Sequence, residues 1–261
     1  MHHHEDDHDR GLSHDLPRLL DRRRMLGLLG GAVLLGTAAC AAEETPASPA
    51  SAPAAPAAGE IPDETAGPYP ADGSNGPDVL TESGVVRSDI RSSFGSASGT
   101  AEGVPVTVEL TVTDGGAPYR GAAVYVWHCD REGRYSLYSA GATEENYLRG
   151  VQEADKTGKV RFVTIFPGSY PGRWPHIHFE VYATLAKATA SAKGIKTSQL
   201  AFPEAACAEA YTAPGYERSA AHLARSSLAE DGVFADGHSL QLATVTGDPE
   251  SGYTARLNVP V

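Results

Sequence analysis

Cysteine, positive charge and long apolar runs are all in short supply in this 261-residue chain. Three cysteines, Cys40, Cys129 and Cys207, allow one disulfide at most. If Cys40 serves another purpose, Cys129 and Cys207 remain as a possible pair in an oxidising compartment, with two buried free thiols as the alternative. Lysine and arginine total 21 against 33 aspartates and glutamates, and after residue 39 the balance is 16 against 27. So acidic a chain is not built to hold nucleic acid or another polyanion. The longest apolar run, Met25 to Ala39, is too short to cross a bilayer comfortably. No internal repeat is visible.

What is present falls into three parts. Residues 1–39 read as an export signal: Asp21-Arg22-Arg23-Arg24-Met25-Leu26 resembles the twin-arginine signal, and the apolar run behind it is an h-region. Thr37-Ala38-Ala39-Cys40 resembles a lipobox, which makes Cys40 the lipidation site, although threonine stands where leucine is usual. An ordinary cleavage with unmodified Cys40 is the alternative. Five of the ten histidines precede Arg22 in an acidic stretch of no evident purpose. Residues 40–60 are mainly alanine, proline, serine and threonine, with too little bulk to offset the entropy of ordering, and form a tether. Residues 61–261 form one folded domain.

That domain reads as all-β. Val104 to Thr113 alternates apolar and polar residues with period two, and Lys159 to Phe166 does so again. Val124 to His128, His176 to Ala183, Thr197 to Phe202, Leu240 to Thr246 and Tyr253 to Val259 supply further strands, bounded by Gly, Pro and Asp turns. The expected architecture is an antiparallel β-sandwich of about 7–9 strands with long loops and one peripheral helix, Tyr216 to Leu228.

The chemistry concentrates in Phe166 to Phe179. In an extended strand alternate side chains share a face, so His176 and His178 present two imidazoles side by side, a ready metal edge. Tyr170 sits in a Pro-Gly-Ser-Tyr-Pro-Gly turn, and Arg173 precedes His176 by three positions. A second constellation runs from Trp127 to Tyr138, a strand entering a Gly-Arg-Tyr-Ser loop. A third is Glu64-Thr-Ala-Gly-Pro-Tyr69, an extended stretch punctuated by proline.

Together these stretches resemble the intradiol ring-cleavage dioxygenases, ferric enzymes that split catechols between their two hydroxyls. The resemblance implies a non-haem Fe(III) cofactor held by Tyr135, Tyr170, His176 and His178. Tyr138 is the nearest competitor for the first position, and the Gly-Arg-Tyr-Ser frame favours Tyr135. Two phenolates and two neutral imidazoles suit ferric iron, which prefers hard anionic oxygen. With one hydroxide the charges sum to zero, and they do so again when a catechol dianion displaces the hydroxide and one phenolate. By the same resemblance Tyr170 would leave the metal and take up substrate protons, Tyr135 would stay, and Arg173 would stabilise carbanion character on the ring. Pro68 and Tyr69 would line the substrate pocket, and Gln199 would orient Arg173 or the substrate. His128 reads as a structural histidine; His222 and His238 read as solvated.

The implied reaction is cleavage of a catechol or hydroxyquinol by O2 to a muconate-type diacid, the chemistry of aromatic catabolism, outside the cytoplasm. The partners would be a small aromatic diol and O2, with the membrane met only through a lipid on Cys40. Two departures from the family stand out. Only six positions separate Tyr170 from His176, which points to a more open pocket, and the helical dimerisation segment is missing, which leaves the oligomeric state open. Two other readings compete: a non-enzymatic exported sandwich for adhesion or glycan binding, and a copper–zinc superoxide dismutase-like protein. The second is poorly served by the five histidines beyond the leader.

Overall fold

The structure is a computed structural model that describes residues 59–261. The leader, Cys40 and the tether up to residue 58 lie outside the described residues, and so does everything expected of them.

Nine strands among the described residues form two sheets: β1 (Pro105–Asp114), β2 (Ala117–Pro118), β3 (Ala123–Trp127), β4 (Arg149–Glu153), β5 (Lys159–Ile165), β6 (His176–Tyr182), β7 (Lys196–Ala201), β8 (Thr244–Asp248) and β9 (Gly252–Pro260). The first sheet runs β2-β1-β9-β8, with β5 also paired to β1; the second runs β4-β3-β6-β7. The expected sandwich is there, with one difference. β9 pairs with β1 in parallel, Val106 opposite Tyr253 through Thr113 opposite Pro260, so the first sheet is mixed. The second sheet is antiparallel throughout.

The period of two explains how the sheets meet. Val106, Val108, Leu110 and Val112 are the inward set of β1, and they cluster with Val124 and Val126 of β3 and Ile177, Phe179 and Val181 of β6. Burying a side chain of this size contributes about 1.5–3 kcal/mol, so the inter-sheet layer is the main source of stability. The intervening residues of the second sheet point the other way. On that outer face lie Tyr125 and Trp127 of β3, His176, His178 and Glu180 of β6, and Gln199 of β7. Every residue of β6 is buried, so loops must cover this face too. They do so with a second cluster that includes Ala71, Val79, Leu80, Val85, Cys129 and Tyr135.

Several expectations need correcting. The helix placed at Tyr216 to Leu228 is shorter, α3 (Glu217–Leu223), and two more short helices accompany it, α1 (Leu185–Ala188) and α2 (Glu204–Ala210). The strand expected to begin at Leu240 begins at Thr244. Cys129 and Cys207 are both free and buried, and each thiol points to a different backbone carbonyl, Gly168 and Phe202. The possible disulfide between them is therefore not formed.

Candidate metal centre

Four side chains from three places in the chain converge on the outer face of the second sheet. His176 and His178 come from β6, and their Nε2 atoms lie 3.1 Å apart. The Tyr170 hydroxyl is 3.3 Å from His176 Nε2, and the Tyr135 hydroxyl is 3.5 Å from it. The two phenol oxygens are 3.3 Å from each other. Metal bonds of about 2.0–2.2 Å to nitrogen and oxygen hold neighbouring donors about 2.8–3.6 Å apart, between right-angle and tetrahedral arrangements. These four pairs, three of them centred on His176 Nε2, already have that spacing.

Local sequence explains why each donor arrives there. Tyr170 opens a turn through Pro171 and Gly172 in which Arg173 N–H donates to Tyr170 O at 3.2 Å. Gly172 has φ +80°, so this is the turn type that takes proline second and glycine third. Tyr135 is delivered by a loop folded around Asp130, whose Oδ1 accepts from Glu132 N (2.9 Å) and Arg134 N (3.0 Å). The two tyrosine loops touch at Gly133. A Cβ there would lie 3.1 Å from Ser169 O and 3.2 Å from Tyr170 Cβ, a tight fit that adds to the strain any other residue would carry at φ +86°.

The electrostatics suit neutral donors. His176 Nδ1 bonds Trp174 O at 2.5 Å, which places its hydrogen on Nδ1 and leaves the Nε2 lone pair facing the tyrosines. Burial, with Arg173 nearby, lowers its pKa to about 3. Burial also holds His178 well below the usual value, with help from His176 and Arg173. Its ring stacks on Trp127 at 4.9 Å and 7°, and its Nδ1 is buried without a partner. Burial drives the Tyr135 phenol well above the usual range and pushes Tyr170 up to about 12, with Arg173 opposing the shift at both.

Behind the donors stands a network only partly legible in the sequence. Arg173 is 7% exposed, not a surface residue, and its Nη2 donates to Gln199 Oε1 at 2.5 Å. Gln199 Nε2 in turn donates to Thr65 O at 3.0 Å. Of the two partners expected for Gln199, Arg173 or the substrate, Arg173 is the one it contacts. Asp231, which the sequence did not single out, accepts from Arg173 Nε at 3.0 Å and from Trp174 N–H at 2.6 Å. Burial works against its ionisation, but Arg173 and the N–H groups of Trp174 and Val233 outweigh that, and its carboxyl is held below the ordinary range. Arg149 was also missed. Wholly buried, it donates to Ser136 Oγ, Ser136 O, Pro70 O and Tyr125 Oη, tying the Tyr135 loop to the 64–70 segment.

The remaining candidates sort readily. Tyr69 packs on Tyr135 at 4.9 Å and on Tyr138 at 5.2 Å, so it belongs to the site, whereas Pro68 is placed at its edge with its carbonyl taken by Asn75. The Tyr138 hydroxyl is engaged by Asn75 O and Ala71 N, away from the donors. His128 is buried between Cys129 O and Thr164 Oγ1, a structural role. His222 and His238 are half-buried rather than fully solvated. No group of three or more His, Cys, Asp or Glu side chains with a metal-binding arrangement occurs among the described residues. Among the described residues, the side chains whose donor atoms meet the His176 and His178 imidazoles are the two tyrosines. Ferric iron fits such a donor set, two hard oxygens and two imidazoles.

Known proteins resemble this chain in part of its sequence and in its fold. Residues 75–190 match the Dioxygenase C family model, described as Dioxygenase, a span that contains Tyr135, Tyr170, Arg173, His176 and His178 but stops short of Gln199 and Asp231. The protocatechuate 3,4-dioxygenase beta chain of Burkholderia cepacia is 37% identical over 81 residues, 26% of this chain and 34% of that one. The chain thus aligns with about a third of the length of this curated relative. An intradiol ring-cleavage dioxygenase from Tetranychus urticae superposes with a TM-score of 0.60 at 26% identity, over 78% of this chain and 94% of that one. In its fold, in the span its family match covers and in these relatives, the chain is similar to the intradiol ring-cleavage dioxygenases.

Proposed function

We infer that the protein cleaves a catechol-type aromatic diol between its hydroxyls with O2, at a non-haem Fe(III) held by Tyr135, Tyr170, His176 and His178, to give a muconate-type diacid. The observation that carries this reading is the convergence of two phenols and two imidazoles, with each phenol and His178 within 3.1–3.5 Å of His176 Nε2. When bound, ferric iron would chelate the diol and draw electron density from it so that the ring becomes reactive toward O2.

The chain's own side chains divide the remaining work. Tyr135 is 1% exposed and anchored through Ser136 by Arg149, which suits a donor that stays in place. Tyr170 is half-buried on a tight turn and suits a phenol that moves aside and accepts a substrate hydroxyl proton on its oxygen. Arg173, fixed from both sides by Asp231 and Gln199, offers a cation that need not reorganise as charge develops on the ring. Tyr69 and the Trp127–His178 stack keep water from the donors.

The reading includes export by residues 1–39 and acylation of Cys40, as the sequence leads one to expect. Incorporation of labelled fatty acid into the wild type but not Cys40→Ala tests that part. For the chemistry, oxygen uptake by the iron-loaded protein with a panel of catechols and hydroxyquinols is the direct test. One O2 consumed per diol, with a diacid product, is expected. Ring opening beside the hydroxyl pair rather than between them would contradict it.

A further inference from the structure

Two loops flank the donor cluster, and both are acidic. The first, residues 61–69, crosses it from end to end. Glu64 N–H donates to Thr197 O at 2.8 Å, Thr65 O accepts from Gln199, a Cβ on Gly67 would lie 3.3 Å from His178 Cε1, and Tyr69 rests on Tyr135. The second, residues 229–243, supplies Asp231 to Arg173 and sets Phe234 6.5 Å from the His176 ring. Gln241 Nε2 reaches Glu64 Oε1 at 3.4 Å and joins the two loops. Neither loop contains lysine or arginine; between them they carry Asp63, Glu64, Glu230, Asp231 and Asp236.

Five cations of neighbouring elements are committed. Arg173 is paired with Asp231, Lys196 with Glu60 and Asp63, and Arg134 with Asp130 and Glu132. Arg131 is paired with Glu102, and Arg149 is buried among neutral acceptors. A carboxylate brought to this mouth would meet the acids of both loops, and these five bases are already engaged. The Glu64–Gln241 pair also presents acceptors: Gln241 is fully buried and its Oε1 has no partner. A ring substituent that donates hydrogen bonds, a hydroxyl or an ammonium group, matches that lining.

We propose that the mouth of this site admits aromatic diols whose ring substituent is uncharged or cationic and rejects carboxylated diols, with Glu64 as the discriminating side chain. The inference rests on the ring-cleavage reading above and deepens it. It also separates this chain from its Burkholderia cepacia relative, named for protocatechuate, a diol that carries a carboxylate. Burial, reinforced by Asp236, raises Glu64 to about 7 against the pull of Gln241 and Arg173, so above neutrality the side chain is an anion.

The test compares iron-loaded wild type, Glu64→Gln and Glu64→Lys at pH 8 with catechol and 3,4-dihydroxybenzoate. Two readouts are taken: kcat/KM for oxygen uptake, and the dissociation constant under argon from the change in visible absorption. Wild type should favour catechol by at least on the order of tenfold in both. Glu64→Gln should narrow that ratio, and Glu64→Lys should narrow it further, through the dihydroxybenzoate KM and dissociation constant. Equal use of the two diols by wild type, or a ratio unmoved in both variants, overturns the inference and leaves the ring-cleavage reading standing. Turnover of neither diol by any of the three proteins overturns both.

Discussion

Arg173 and Asp231 lie 58 positions apart in sequence, yet their side chains meet at 3.0 Å with 8% and 0% of their surface exposed. The contact fixes the loop after α3 to the turn that carries Tyr170. Replacing Asp231 with alanine leaves a buried cation without its partner, and the expected loss is about 3–5 kcal/mol in denaturant unfolding. The Arg173→Met, Asp231→Leu double variant should recover much of that loss but no ring-cleaving activity. The pH dependence follows from the depressed carboxyl pKa. The pair's contribution is complete above the ordinary aspartate value and disappears as the pH falls through the lowered one, so the gap between wild type and Asp231→Asn should close in strong acid.

Gly67 and Gly95 share a backbone φ of +70°, but only Gly67 faces the donor cluster. Alanine at either position incurs roughly 1–2 kcal/mol of left-handed strain. At Gly67 the added methyl must also press on His178 Cε1 at 3.3 Å, whereas at Gly95 nothing lies within 4 Å. Metal analysis after iron loading should therefore find iron depleted in Gly67→Ala and unchanged in Gly95→Ala, at similar cost in thermal stability. Equal iron in both variants would mean that the lead-in segment does not constrain the histidine.

Glu64 should make the fold less stable as the pH rises. Its folded-state value of about 7 exceeds the usual 4.5, so between those limits the unfolded chain binds fewer protons than the native one, and stability falls with pH. Asp236, Asp231, Arg173 and Gln241 are the groups that act on it. Glu64→Gln removes this ionisation. Its Tm relative to wild type should rise between pH 5 and pH 8; a constant difference would show that the carboxyl is not held up.

The parts of this architecture legible in the sequence are those written in short range. The alternation in β1, Pro105–Asp114, reports one solvated and one buried face, and the His-x-His spacing of β6 follows from the same periodicity. β4 escaped notice because Arg149-Gly-Val-Gln-Glu153 has a single bulky apolar residue; it is a strand because β3 supplies its partners. α2 begins directly after Pro203 in an alanine-rich stretch with no apolar stripe. Asp231 and Arg149 act through contacts between distant segments, and no local pattern marks a lone acid or base for such a role. Tyr135 stood out from Tyr138 only through its likeness to a known motif, and the separation is geometric: one hydroxyl faces the histidines, the other bonds Asn75 O and Ala71 N.

Everything proposed for the chemistry depends on Tyr135, Tyr170, His176 and His178 sharing one ferric ion. The most direct measurement is metal stoichiometry together with the visible spectrum of iron-loaded wild type, Tyr135→Phe and Tyr170→Phe. Each substitution removes one hydroxyl and should cost only about 1 kcal/mol of stability, so loss of folding does not confuse the readout. The account predicts one iron per wild-type chain with a phenolate-to-iron absorption band that is shifted or lost in each variant. A colourless wild-type protein, or a band indifferent to both substitutions, would contradict it.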